Sequence, residues 1–268
     1  MTSLLSLLKP QSFIYYPSFH FFNMKVSTAS LAAALALAST TSAHGGVLSY
    51  DIGGTTYKGF VPYNSATGQS TIQREWDSYN PIQDPTLATM ACNANGAAGA
   101  LSATVAAGSK IIAYWNNPWP HTIGPMVTWM ANCGGDCKSF TPTGNVWFKI
   151  DQAGLISGDV STGLWGSGQM VQQNSSWTST IPSSLKAGNY LIRHETIALH
   201  TANAPQWYPE CAQLTVTGSG SGVPGSEYLA AIPGVYKMSD PEVDIDIYAS
   251  AEKGVTTYTI PGPAVWSG

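Results

Sequence analysis

The chain has 268 residues and a formal net charge of −4, with only 10% of its side chains charged against 44% hydrophobic. That balance offers no basic surface for nucleic acid or an anionic membrane, so neither is expected as a partner. With 27 Gly, 17 Pro, 9 Trp and 13 Tyr, it has the composition of a loop-rich extracellular β-protein.

Residues Met1 to Asn23 carry no acidic side chain and look like no part of a secretion signal, which points to a mis-assigned start. Met24-Lys25-Val26 and the Ala/Leu run from Ser27 to Leu37 read as the charged and apolar regions of a signal peptide over residues 24–43, too short to cross a membrane. Thr41-Ser42-Ala43 supplies the small residues of a cleavage site, so the mature, secreted chain is expected to begin at His44. It keeps nine Lys/Arg against fifteen Asp/Glu, a charge near −6, and residues 44–268 suit one monomeric domain with no appended binding module.

Val47 to Ile52, Gly53-Gly54 and Thr55 to Val61 predict a hairpin that ties the new amino terminus into a sheet. Tyr63 to Pro85 is a long surface loop rich in Asn, Ser and Pro, carrying Trp76 and Tyr79. Strands are predicted at Lys110 to Trp115, Met126 to Ala131, Asn145 to Ile150, Asn189 to His200 and Ala212 to Thr217. Asn116 to Pro120 breaks the first two apart and leaves His121 in the break. On a strand, His194 and His200 would share one face while Arg193 and Glu195 take the other. Asn174-Ser175-Ser176 is a glycosylation sequon, expected to be exposed. Val243, Ile245 and Ile247 alternate with Asp244 and Asp246, the period of a half-buried strand. Many short strands without a long amphipathic helix predict an all-β chain, an immunoglobulin- or fibronectin-like antiparallel β-sandwich with long surface loops.

Four cysteines in a secreted chain read as two disulfides with three possible connectivities. Cys133 and Cys137 flank a Gly-Gly-Asp turn that could close locally, leaving Cys92 with Cys211. A zinc site would need a second ligand pair of suitable spacing, and none follows.

A histidine freed at the amino terminus offers two nitrogens, its α-amine and its ring. Joined by the ring of His121, they form a T-shaped set suited to copper(II), which prefers tetragonal nitrogen coordination. The plainer alternative is that His121 caps a loop and His44 does nothing.

Five ordered motifs add to this: His44-Gly45, His121-Thr122-Ile123-Gly124-Pro125, Arg193-His194-Glu195 running to His200, Gln206-Trp207-Tyr208-Pro209-Glu210-Cys211, and Tyr258 to Pro263. Together they resemble auxiliary activity family 9, the fungal lytic polysaccharide monooxygenases formerly filed as glycoside hydrolase family 61. The resemblance implies one copper held by His44 and His121, with Tyr208 axial and Gln206 and His200 catalytic beside it. It also implies a supporting hydrogen-bond network at Arg193 and Glu195, and disulfides pairing Cys92 with Cys211 and Cys133 with Cys137. Tyr79 and Tyr248 lie in regions matching the family's substrate-facing loops. The segment between His200 and Gln206 is shorter than in many relatives, and Asp240-Pro241-Glu242 departs from the usual pattern in its last residue. The implied activity is oxidative cleavage of β-1,4-glucan such as cellulose at C1 and/or C4. Oxygen or hydrogen peroxide would be the co-substrate, and cellobiose dehydrogenase or a small reductant the electron donor. A hydrolase is disfavoured, since no pair of cleft carboxylates stands out. A non-catalytic secreted copper-binding protein is the main alternative, and a metal-free lectin-like sandwich would leave the placement of His44 unexplained.

Overall fold

A computed structural model describes residues 44–268; the expected signal peptide and the extension ahead of it lie outside the described residues. Among the described residues, twelve strands form three sheets. A four-stranded sheet runs in the order β2 (Thr55–Lys58), β1 (Val47–Ile52), β4 (Lys110–Trp115), β9 (Ser176–Thr180). A six-stranded sheet runs β12 (Ala230–Ala231), β6 (Asn145–Ala153), β5 (Met126–Asn132), β10 (Gly188–Ala198), β11 (Gln206–Thr217), β3 (Ala103–Ala106). β7 (Leu155–Ser157) and β8 (Leu164–Trp165) make a small ribbon that leads into the one α-helix among the described residues, α1 (Gly166–Gln172). No described helix is long and apolar enough to cross a membrane.

The two larger sheets pack as the sandwich the sequence predicts, with one departure from an antiparallel plan: β3 pairs with β11 in parallel. Between them lies a core that includes Tyr50, Trp115, Met130, Ile192, Tyr208 and Leu214. The other face of the six-stranded sheet is also buried, beneath loops and the C-terminal segment, in a second core that includes Trp129, Trp147, Trp165, Trp207, Tyr236 and Val243. Each buried aromatic removes about 150–250 Å² from water, worth several kcal/mol at about 25 cal/mol per Å², so loops can cover a sheet face without strands of their own.

Double burial explains the sequence of β10, which is buried from Tyr190 to Ala198 and shows little polar–apolar alternation. Its even residues, Ile192 and Ala198, enter the inter-sheet core, and its odd residues, Leu191 and Ile197, enter the second. His194 therefore meets Tyr50 and Trp115 between the sheets. Arg193 and Glu195 point the other way and pair at 2.6 Å, with Glu195 also accepting from Trp129 and Tyr236 and Arg193 donating to the carbonyls of Met90 and Ala91.

The strand predicted from the alternation of Val243, Ile245 and Ile247 does not form. Residues 240–249 turn repeatedly, with the amides of Val243 and Asp244 both donating to the Asp240 carbonyl and that of Ala249 to Asp246. Val243 and Ile247 are buried as anchors in the second core, so their apolar character records loop attachment rather than pairing. β10 also stops at Ala198, so His200 lies in the bend beyond the strand and does not share the strand face of His194.

Candidate metal centre

Four segments converge at one end of the sandwich. His44 and Gly45 lead into β1, whose Val47 pairs with Trp115 at the end of β4. His121 follows the Asn116–Pro120 break, and the chain beyond it is laid against the end of β10: the amide of Leu199 donates to Ile123 O and that of Ile197 to Pro125 O. Ser167 at the start of α1 holds the carbonyl of Gly124 with both its amide and its hydroxyl. Gly124 has φ +132°, and a Cβ there would stand 1.8 Å from the Ile197 carbonyl oxygen, so only glycine lets the two segments approach.

That approach stacks His200 on His121, with ring centroids 4.3 Å apart and planes 12° apart. The shortened segment after His200 does not prevent this contact. The ring centroids of His44 and His121 lie 6.3 Å apart, with the planes tilted by 38°. Tyr208, on β11, has its ring 6.3 Å from His44 and its hydroxyl 3.0 Å from His121 Nε2. The same hydroxyl donates to Gln206 Oε1 at 2.9 Å, so the two residues of alternate positions on β11 act as a pair. Burial, and then the Glu210 carboxylate, push the Tyr208 phenol above its ordinary pKa, and burial followed by the charge of His44 lowers that of His200.

Among the described residues no group of three His, Cys, Asp or Glu side chains could hold a metal ion. Two imidazoles and a phenol therefore need one further donor, and the α-amine of His44 is the nitrogen that cleavage behind Ala43 would supply. The donor chemistry fits copper.

Sequence reasoning missed Trp119. Its buried ring stands nearly perpendicular to those of His121 and Tyr208, at 5.5 and 5.0 Å, and forms the floor that holds both. The Pro118-Trp119-Pro120 triplet beside His121 was the available signal.

The remaining predicted residues lie farther out. Arg193 and Glu195 are buried in the second core. Cys92 is bonded to Cys211 and Cys133 to Cys137. Asn174 is exposed, and its Oδ1 accepts a hydrogen bond from Asn117 Nδ2. Tyr248 is 53% exposed on the loop that the Asn203 amide ties, through the Ile245 carbonyl, to the turn between His200 and Gln206. Tyr79 is half-buried, wedged edge-on between Trp76 and Tyr63, whereas Tyr63 itself is 68% exposed.

The model of Auxiliary Activity family 9 (formerly GH61) matches residues 44–258. AA9 family lytic polysaccharide monooxygenase B of Heterobasidion irregulare is 61% identical over 242 residues, covering 89% of this chain and 98% of that protein. AA9 family lytic polysaccharide monooxygenase D of Thermothelomyces thermophilus is 44% identical over 239 residues, 87% of this chain and 92% of its own length. The crystal structure of HiLPMO9B superposes with a TM-score of 0.81 at 62% identity, over 84% of this chain and all of that one. That of a cellulose-active polysaccharide monooxygenase from M. thermophila gives 0.79 at 44% identity, again over 84% and 100%.

Proposed function

The chain belongs to Auxiliary Activity family 9, the copper-dependent lytic polysaccharide monooxygenases, and from that premise we propose that it is secreted after cleavage behind Ala43 and cleaves β-1,4-glucan, cellulose foremost, at C1 and/or C4. The observation that carries the reading is the convergence of His44, His121 and Tyr208 from three separate strands and loops onto one point. The family match beginning at His44 supports the same boundary. The cellulose activity named for the M. thermophila relative supports the choice of substrate.

The amine and ring of His44, the ring of His121 and the Tyr208 oxygen are the groups that would hold one copper ion. When bound, that ion supplies one-electron chemistry, reduced by cellobiose dehydrogenase or a small reductant and consuming oxygen or hydrogen peroxide. Gln206 Oε1 accepts the hydrogen bond of the Tyr208 hydroxyl and so fixes the phenol's direction. The Gln206 amide and His200, stacked on His121, are the polar groups beside the site that would donate hydrogen bonds to the oxygen or peroxide co-substrate. Buried Trp119 keeps water from the inner side of the site. Tyr248, 53% exposed, is the ring this reading assigns to stacking on a pyranose face.

Calorimetric copper titration of protein beginning at His44, followed by incubation with ascorbate and amorphous cellulose, tests this. Mass spectrometry should find aldonic or C4-oxidised oligosaccharides, absent without reductant. Tight copper binding with no oxidised product from any β-glucan would overturn the enzymatic reading in favour of a copper carrier.

A further inference from the structure

The nitrogens assigned to copper sit on a peptide whose own position is fixed from both sides. Gly45 and Gly46 are buried although they adjoin the expected terminus. The amide of Gly46 donates to Asn116 Oδ1 at 3.1 Å, and the amide of Asn116 donates back to the Gly46 carbonyl at 3.3 Å. A Cβ on Gly45 would fall 1.7 Å from Asn116 Oδ1; one on Gly46 would fall 2.3 Å from Glu210 Oε1 and 2.8 Å from Trp76 Cη2. The Gly45-Gly46 pair is therefore pressed between Asn116, immediately after β4, and the Glu210 and Trp76 wall. Asn116 lies five residues before His121, and Glu210 lies two residues after Tyr208 on β11.

We propose that Asn116 is a positioning residue for the copper reaction: by gripping the Gly46 peptide at both its amide and its carbonyl, it sets where the His44 nitrogens stand relative to His121 and Tyr208. An ordinary loop end would leave His44 to swing about Gly45, and each metal-binding event would then carry the entropy of stopping it. The proposal rests on the copper reading above, but the grip itself exists in metal-free protein and is measurable there.

The test uses mature protein beginning at His44. In the wild type without metal, ¹⁵N relaxation should give Gly46 the order of rigid backbone, about 0.85, and Asn116→Ala should lower it towards 0.6. Copper affinity should fall roughly 10- to 100-fold in that variant, the range seen when groups behind metal ligands are removed, with an altered copper(II) resonance spectrum. Asn116→Asp, which keeps an acceptor for the Gly46 amide, should restore the order and most of the affinity. Should Asn116→Ala fail to fold, Gly45→Ala displaces the same Oδ1 and should reproduce the loss. A Gly46 amide as rigid as in the wild type, or an affinity unchanged while wild type binds copper, overturns the proposal. Wild-type protein that takes up no copper overturns the preceding reading instead, and the amide order alone then decides whether the grip exists.

Discussion

His194 is the residue whose chemistry sequence reading left unassigned, and its surroundings give it a role in stability. It is fully buried between Tyr50 and Trp115, and neither ring nitrogen has a hydrogen-bond partner among the described residues. Burial drives its pKa down to about 3, so it folds as the neutral imidazole. The unfolded chain takes up a proton near 6.5 that the folded one refuses. Stability from this group is therefore complete above about pH 6.5 and is lost as pH falls towards 3, at about 1.4 kcal/mol per pH unit. Buried Glu210, raised to about 8, contributes in the opposite sense, so the His194 share is read as a difference: in denaturant titrations of metal-free protein from pH 7 to 4, wild type should lose stability relative to His194→Phe as pH falls. The Arg193–Glu195 pair carries a second expectation. Glu195→Leu leaves a guanidinium buried without its countercharge and should destabilise by about 3–5 kcal/mol in the same titrations, with the copper-site residues untouched.

At the scale of elements, two covalent bridges fasten the chain around the second core and one steric device holds the His121 loop. The Cys92–Cys211 bridge closes 119 residues and Cys133–Cys137 only 4. On chain entropy alone the long bridge is worth about 5 kcal/mol and the short one about 2. Paired replacement by alanine should thus lower the unfolding free energy more for the first pair, as read by chemical denaturation. Gly124→Ala should act differently, because its Cβ would push the His121 loop off Ile197. Copper affinity should drop together with thermal stability, measured by calorimetry on the same samples.

Over the whole molecule, the sandwich, the early hairpin and most central strands were legible because Gly/Pro punctuation and β-branched runs mark them locally. The brief β3, β7 and β8 carry too little pattern, and α1, Gly166-Ser167-Gly168 at its start, has almost no helical signal. The false strand at Val243–Ile247 and the extension of β10 to His200 share one cause. The six-stranded sheet is covered on both faces, so apolar residues in loops report anchoring, and runs of buried residues do not report where a strand ends. Of the site, the histidines and Tyr208 were readable from motifs, whereas Trp119 and Asn116 act through contacts that only folding creates. The expectation that depends on the entire chain is processing. Intact mass of secreted protein should correspond to a first residue of His44, and protein retaining any residue ahead of it should bind copper much more weakly in calorimetry.

The two-sided strand β11 also bears on how such a chain tolerates change. Its even positions, Gln206, Tyr208 and Glu210, face the site and the core behind it, and its odd positions, Trp207 and Cys211, face the second core. Inserting or deleting one residue there would swap the two sets, taking the phenol from the histidines and the thiol from Cys92 in a single event. Length variation in lineages of this fold should therefore accumulate in the 63–85 and 240–250 loops and be purged from 206–211. A designer seeking a new substrate face has the same freedom: loops can be exchanged wholesale, but the count of residues along this strand must stay as it is.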